Sequence, residues 1–142
     1  MKLVIDTSVF VSALLGTGAS RAVLRNCLEG RSRPLMGTTL FAEYESLLGR
    51  ETLFAGCPLN AQEREQLLDA FLSVCAWTRI YYLWRPNLRD EADNHLIELA
   101  VAGGARAIVT KNARDFYGSD LLMPQVLVLR PEQILQEEAW LR

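Results

Sequence analysis

The sequence predicts an α/β protein whose parallel sheet is covered by helices on both faces. Short β-prone runs alternate with longer segments of helical periodicity along the 142 residues. The strand runs, such as residues 3–5 and 107–109, are continuously apolar rather than alternately apolar and polar. This character is typical of strands buried on both faces of a parallel sheet. Such sheets bind ligands at the carboxyl ends of their strands, near a reversal of strand order.

The first predicted strand ends at an acid. Residues 2–5 form a short β-prone apolar run that stops at Asp6. Thr7 and Ser8 are predicted to continue as a polar loop. A carboxylate that directly follows a buried strand needs a hydrogen-bonding partner or a metal, so Asp6 is the first candidate functional residue.

Caps mark the next helices. Ser20 is predicted to cap a helix over residues 21–28. A weaker strand over residues 34–37 leads into a second helix, which Thr38 or Thr39 is predicted to cap. Both helices carry apolar residues at helical spacing, as expected where one face packs on a sheet.

The second half of the chain repeats this alternation. Asn60 and Glu63 have the spacing of a capping box and open a third helix. The acidic segment 89–94 opens a fourth, which the two glycines at 103 and 104 end. Strands are predicted over residues 77–83, 107–110 and 125–129, and a last helix begins at Pro131.

Composition limits the class of protein. The chain has 15 Lys and Arg against 17 Asp and Glu, so a strongly basic surface that coats nucleic acid is not expected. No apolar run reaches the ~20 residues of a membrane span, and the apolar start is interrupted too early for a signal peptide. Three cysteines without a CxxC pair suggest neither a disulfide framework nor a zinc site. A single cytoplasmic domain over residues 1–142 is expected.

Four acids occupy equivalent places after predicted strands. Asp6 and Asp115 follow strands directly, while Glu43 and Asp93 lie in the first turns of the helices after two other strands. Carboxylates gathered in one crevice repel one another unless a cation neutralises them, and oxygen ligands favour Mg²⁺ or Mn²⁺. Taken singly, an acid in a first turn is also explained by the helix dipole.

Other polar residues allow two interpretations. His95 could contact a substrate, although a locally hydrogen-bonded role is favoured. A basic run is either a solvated face or a strip that contacts phosphates, and its members are Arg21, Arg25, Arg31 and Arg33. For Trp77 and the neighbouring aromatic residues, packing in the core or at a subunit interface is favoured over base stacking.

Four short motifs, in order, resemble the PIN domain family. They read VIDTSVF, LFAEY, RDEADNHLIELA and IVTKNARDF, and a closing LVLRPEQIL segment looks like the last strand and helix of the family. The resemblance extends to small bacterial PIN proteins described as toxin components of toxin–antitoxin pairs. It implies a three-layer α/β/α sandwich with a central parallel sheet of about five strands.

The resemblance also implies a ribonuclease that uses Mg²⁺ or Mn²⁺. Its metal-binding and catalytic acids would be Asp6, Glu43, Asp93 and an acid after the fourth strand, here Asp115. Ser8, Asn94, Thr110 and Asn112 would orient ligands or waters, and Lys111 joins the four arginines as a candidate RNA contact. Many members carry Asp where this chain has Asn112, and the third acid aligns with either Asp93 or Asn94. A homodimer and an antitoxin partner are implied as well.

Two other functions are weighed against this one. A PIN-like module that binds RNA or protein without cleaving is the alternative, because Ser8, Asn94 and Asn112 reduce the acidic set. Phosphoryl-transfer domains are disfavoured. The Asp-x-Asp of a dehalogenase-like phosphatase would need an acid at position 8, and no aspartate closes the third strand as a receiver domain requires.

Overall fold

Five parallel strands form the sheet of the computed structural model, which describes residues 1–16, 18–80, 94–113 and 126–136. Their order is β3-β2-β1-β4-β5, and every pairing is parallel. The strands are β1 (Lys2–Ile5), β2 (Arg33–Met36), β3 (Ala76–Trp77), β4 (Ala107–Val109) and β5 (Leu127–Leu129). The predicted α/β/α sandwich with about five parallel strands is confirmed.

Helices connect and cover the strands. α5 packs against β1, β2 and β4, whereas α2 contacts α1, α4 and α6. The helices are α1 (Thr7–Leu15), α2 (Ala19–Leu28), α3 (Thr38–Leu48), α4 (Ala61–Val74), α5 (Asn94–Gly103) and α6 (Pro131–Ile134), with a 3₁₀ turn at Glu51–Phe54. Leu3, Val4 and Ile5 are all at most 2% exposed. Because successive strand residues point to opposite faces, helices cover both faces of the sheet.

The strand order reverses beside β1. β2 follows β1 in the chain and pairs on one side of it, while β4 pairs on the other with Ile5 opposite Val109. The carboxyl ends of β1 and β4 therefore lie next to each other, at the position where open α/β sheets bind ligands. Asp6 and Thr110 are the first residues beyond these two strand ends.

Several predicted boundaries were wrong. Thr7 and Ser8 lie in the first turn of α1 instead of a loop, because Asp6 itself occupies the N-cap position. Glycines, not Ser20 or the threonines, precede α2 and α3. Gly18 has φ +104°, which disfavours any other residue. A Cβ at Gly37 would lie 3.3 Å from Leu99 Cδ1, so the close approach of α5 favours glycine there.

Of the predicted strand over residues 77–83, residues 77–80 are described, and only the first of these is in a strand. Only Ala76–Trp77 is paired as β3, although the amide of Thr78 still donates to Met36 O at 2.8 Å. Residues 81–83 and the predicted helix entry over residues 89–93 lie outside the described residues. The capping box of Asn60 with Glu63 is confirmed, as is the helix that begins at Pro131.

All three cysteines are free thiols. Burial raises the pKa of Cys27 and of Cys75 to about 12, so both remain protonated at neutral pH and pack as small apolar side chains. In the described ranges no single helix has the length and apolar character to span a membrane. Among the described helices, α1 and α2 reach that length and apolar character only when they are counted together, and they are bent by 107° relative to each other.

Tyr44 ties α3 to the end of β1. Its hydroxyl donates to Ile5 O at 2.7 Å, one residue before Asp6, and the ring is 1% exposed. Phe10 packs edge-on against it with ring centroids 5.3 Å apart. Glu43 precedes Tyr44 on the same helix, so this buried contact also fixes how close Glu43 comes to Asp6.

We predict that Tyr44→Phe lowers the free energy of unfolding by about 1–2 kcal/mol, because it removes the donor to a buried carbonyl while keeping the ring. Urea denaturation measures the change. Ser73→Ala is the control, since it removes an exposed hydroxyl that bonds only its own helix. Equal unfolding midpoints for the two variants would contradict the proposed anchoring role.

Candidate active site

Asp6 is a buried carboxylate at the switch point of the sheet. Its side chain follows β1, and the residue is 5% exposed. Its backbone amide donates to Val109 O at 3.0 Å, which continues the β1–β4 ladder by one residue. The backbone that carries the carboxylate is therefore as fixed as the central strands themselves.

Two hydroxyl groups hold one oxygen of Asp6. Oδ2 accepts hydrogen bonds from Ser8 Oγ at 2.8 Å and from Thr110 Oγ1 at 2.7 Å. Ser8 Oγ in turn accepts a hydrogen bond from the Lys111 amide at 3.1 Å, and Thr110 Oγ1 accepts one from the Asn112 amide at 3.0 Å. Donation from backbone amides polarises the hydroxyls toward the carboxylate and fixes its rotamer.

Glu43 lies beside Asp6 and, unlike Asp6, has a close contact at both carboxylate oxygens. Thr7 Oγ1 donates to Oε1 at 2.9 Å, and His95 Nε2 lies 2.8 Å from Oε2. The contact with His95 is the main cause that lowers the pKa of Glu43, with Thr7 adding to it and partial burial opposing it. Glu43 is therefore held in its ionised form.

Thr7 also shows how near the two acids are. Its hydroxyl is 3.4 Å from Asp6 Oδ1 and 2.9 Å from Glu43 Oε1. A hydroxyl has one hydrogen, and the shorter distance assigns it to Glu43. In the described part of the chain, the Thr7 hydroxyl is thus the nearest donor to Asp6 Oδ1, and its hydrogen is used by Glu43.

An open cleft of about 640 Å³ exposes this pair. Asp6, Thr7, Ser8 and Glu43 line one part of it, with Lys111 and Asn112 beside them. The remaining lining is largely apolar and comes from Val11, Leu15, Leu47 and Leu53. The cleft joins a polar, acidic part to a surface that can pack against the apolar parts of a ligand.

The donor set fits a hard divalent cation. It consists of carboxylate and hydroxyl oxygens, which Mg²⁺ and Mn²⁺ prefer. Within the described ranges no Lys or Arg forms an ion pair with Asp6 or Glu43, and Asp6 Oδ1 retains unused acceptor capacity. No group of three or more His, Cys, Asp and Glu side chains suited to a metal occurs within these ranges.

The other two predicted acids, Asp93 and Asp115, lie outside the described residues. Asn94 is the first residue of α5. Of the predicted RNA contacts, only Lys111 borders the cleft. Arg21 is half-buried on α2, and Arg25 lies in its last turn. Arg33 begins β2, so it lies at the amino end of the sheet, opposite the site, and Arg31 pairs with Glu29 at 3.4 Å.

Two residues of the site were not among the predicted ones. Thr7 bridges the acids, and its position between Asp6 and Ser8 was the available signal. The locally hydrogen-bonded role favoured for His95 was wrong, because its side chain contacts Glu43 across 52 positions of sequence. Only its place two residues after Asp93 could have indicated this. Such long-range pairs depend on how α3 and α5 pack, which local sequence patterns do not encode.

Comparison with known proteins gives one match. A family model described as PIN domain matches residues 2–114. The matched region contains β1 to β4 and every described residue that lines the cleft, and it ends one residue before Asp115. Neither the search of curated proteins nor the search of solved structures returns a match.

We predict that Thr110→Val lowers the free energy of unfolding by about 1.5–3 kcal/mol, because a buried carboxylate loses a charge-assisted hydrogen bond. Thr110 is fully buried, and Val preserves its shape. Thr110→Ser keeps the hydroxyl and is the control. Chemical denaturation of both variants tests the prediction, and a Val variant at least as stable as the Ser variant would contradict it.

Proposed function

Since the chain belongs to the PIN domain family, whose members are typically metal-dependent nucleases, we propose that it is an endoribonuclease that hydrolyses RNA phosphodiester bonds with Mg²⁺ or Mn²⁺. The observation that carries the proposal is the Asp6–Glu43 pair. Both carboxylates line an open cleft with the Thr7 hydroxyl between them, 2.9 Å from Glu43 Oε1 and 3.4 Å from Asp6 Oδ1, and Asp6 Oδ1 is left to accept a cation.

Each residue of the site has a proposed role. Asp6 binds the cation through Oδ1, because Ser8 and Thr110 already engage Oδ2. Glu43 binds it directly or through water, and Asp93 and Asp115 are proposed to complete the acidic set. A bound divalent cation would supply charge neutralisation at the phosphate and a more acidic water. Asn94 and Asn112 are proposed to orient ligands or waters.

The cleft supports a single-stranded RNA substrate. Lys111 lies beside the acids and is proposed to contact a phosphate, while the apolar lining would pack against sugars and bases. The net charge of −2 provides little general attraction for a polyanion. RNA affinity is therefore expected to be modest and to depend on the bound cation.

The biological setting is proposed from the resemblance to PIN toxins. The chain would act in the cytoplasm as the toxin of a toxin–antitoxin pair, inhibited by a cognate protein. Three free thiols are compatible with a reducing compartment. The same resemblance supports a homodimer.

The cleavage experiment uses a mixed RNA pool with Mn²⁺ or Mg²⁺. We expect wild-type cleavage that EDTA abolishes, and a loss of at least about 100-fold in Asp6→Asn, since a primary cation ligand is removed. Glu43→Gln should also reduce the rate. Glu45→Gln is the matched control, because Glu45 lies exposed two residues away on the same helix. Induced expression should arrest growth only with active variants.

The outcomes separate the alternatives. Cleavage that is unaffected by Asp6→Asn would come from another site or a contaminant and would refute the proposal. RNA binding by wild type without cleavage under any divalent cation would instead support the PIN-like binding module. Preferential cleavage of single-stranded DNA would refute the assignment of RNA as substrate.

We predict that Trp77 anchors the proposed homodimer. It lies on β3 at the edge of the sheet, is 56% exposed, and packs edge-on against Phe41 at 5.5 Å. Large exposed aromatic residues are frequent anchors of interfaces. Light scattering on the wild type should give twice the chain mass, and Trp77→Ala should shift it toward the monomer. An unchanged dimer in Trp77→Ala would exclude this anchor.

A further inference from the structure

His95 connects the α5 helix to the acidic site. It is the second residue of α5, its side chain is 12% exposed, and Nε2 lies 2.8 Å from Glu43 Oε2. The proposed ribonuclease function assigns no role to this histidine. Its contact with Glu43 joins α5 to α3, whereas Thr7 joins α1 to the same carboxylate.

The two contacts together determine where the Glu43 carboxylate lies. Glu43 is 35% exposed, and a glutamate on a helix surface ordinarily samples several rotamers. Thr7 fixes Oε1, and His95 fixes Oε2. With Thr7 alone, the carboxylate could rotate about that single hydrogen bond, so both contacts are needed to hold one orientation beside Asp6.

The surroundings of His95 indicate that the ring is there for this contact. Both ring nitrogens are buried. Nε2 lies at ion-pair distance from Glu43 Oε2, 2.8 Å, without meeting the angular criterion of a hydrogen bond, and no residue of the described part hydrogen-bonds to Nδ1. A buried polar atom without a partner costs free energy, so simple packing would favour an apolar residue at this position. His95 also lines a second cavity of about 510 Å³, whose lining does not include Glu43.

We propose that His95 is a positioning residue that holds Glu43 in the orientation required to bind the divalent cation. The proposal rests on the proposed function, since it assumes that Glu43 contributes to cation binding. His95 itself does not bind the cation in this arrangement, because the nitrogen nearest the site is engaged by Glu43 and the oxygen-preferring ion is better served by the carboxylates. Loss of the contact leaves Glu43 to be ordered when the cation binds, which weakens affinity.

The experiment compares two amides at this position by calorimetric titration of the purified protein with Mn²⁺. The amide nitrogen of His95→Gln can reach the place of Nε2, whereas that of His95→Asn is shorter and corresponds to Nδ1. We expect His95→Asn to raise the Kd for Mn²⁺ about tenfold, in the range seen when a partner of a metal ligand is lost. His95→Gln should stay within about threefold of wild type.

A double-variant test excludes a merely structural effect. Introduced into Glu43→Gln, His95→Asn should cause no further change in Kd, because the side chain it positions no longer carries a carboxylate. The proposal is overturned if His95→Asn binds Mn²⁺ like wild type, or weakens binding equally with and without Glu43. In both cases the proposed function would still be supported if wild type binds Mn²⁺ and substitution of Asp6 weakens that binding. If wild type binds no Mn²⁺, both proposals fail.

Discussion

The hydrogen bonds from Ser8 and Thr110 to Asp6 are the constraint on which the site depends. A carboxylate 5% exposed at the end of the central strand would be costly without compensation. The two hydroxyls provide it, and each is itself fixed by a backbone amide of the segment after β4. This network joins β1, α1 and β4 at the reversal of strand order. The acid is therefore part of the framework of the sheet, and Glu43, His95 and the cleft are arranged around it.

Much of the fold was predictable because buried strands and helix faces require recognisable apolar patterns in the sequence. Continuous apolar runs, helical spacing and the Asn60 capping box gave the alternation of strands and helices. Helix starts were less predictable. Gly37 precedes α3 because α5 comes close to it, and this reason lies in tertiary packing. Within the described residues β2 pairs only with Ala76 and Trp77 of β3, although the β-prone composition predicts a strand that continues past them.

The candidate site was predictable to a smaller extent. Asp6 could be identified because an acid that directly follows a buried strand needs a partner, and its nearness to Glu43 followed from their places at the carboxyl ends of strands. Thr110 was indicated by the resemblance to the PIN family. The contacts of Thr7 and His95 with Glu43 could not be predicted, because the partner of a hydroxyl or an imidazole depends on which distant residue the fold brings next to it. The arginines show, conversely, that residues close in sequence need not lie close to the site. Arg33 is close to the others in sequence, yet it lies at the opposite edge of the sheet from Asp6.

The hydroxyls of Ser8 and Thr110 also bear on the route of the proposed hydrolysis. Each has its only hydrogen directed at Asp6 Oδ2 and receives a hydrogen bond from a backbone amide. Thr110 is fully buried, and attack on phosphorus by either hydroxyl would leave the buried carboxylate of Asp6 without the hydrogen bonds that compensate it. A covalent phospho-enzyme through Ser8 or Thr110 is therefore disfavoured. The oxygen added to the cleaved phosphate is accordingly expected to come from outside the protein, in a hydrolysis without a covalent intermediate on these two side chains.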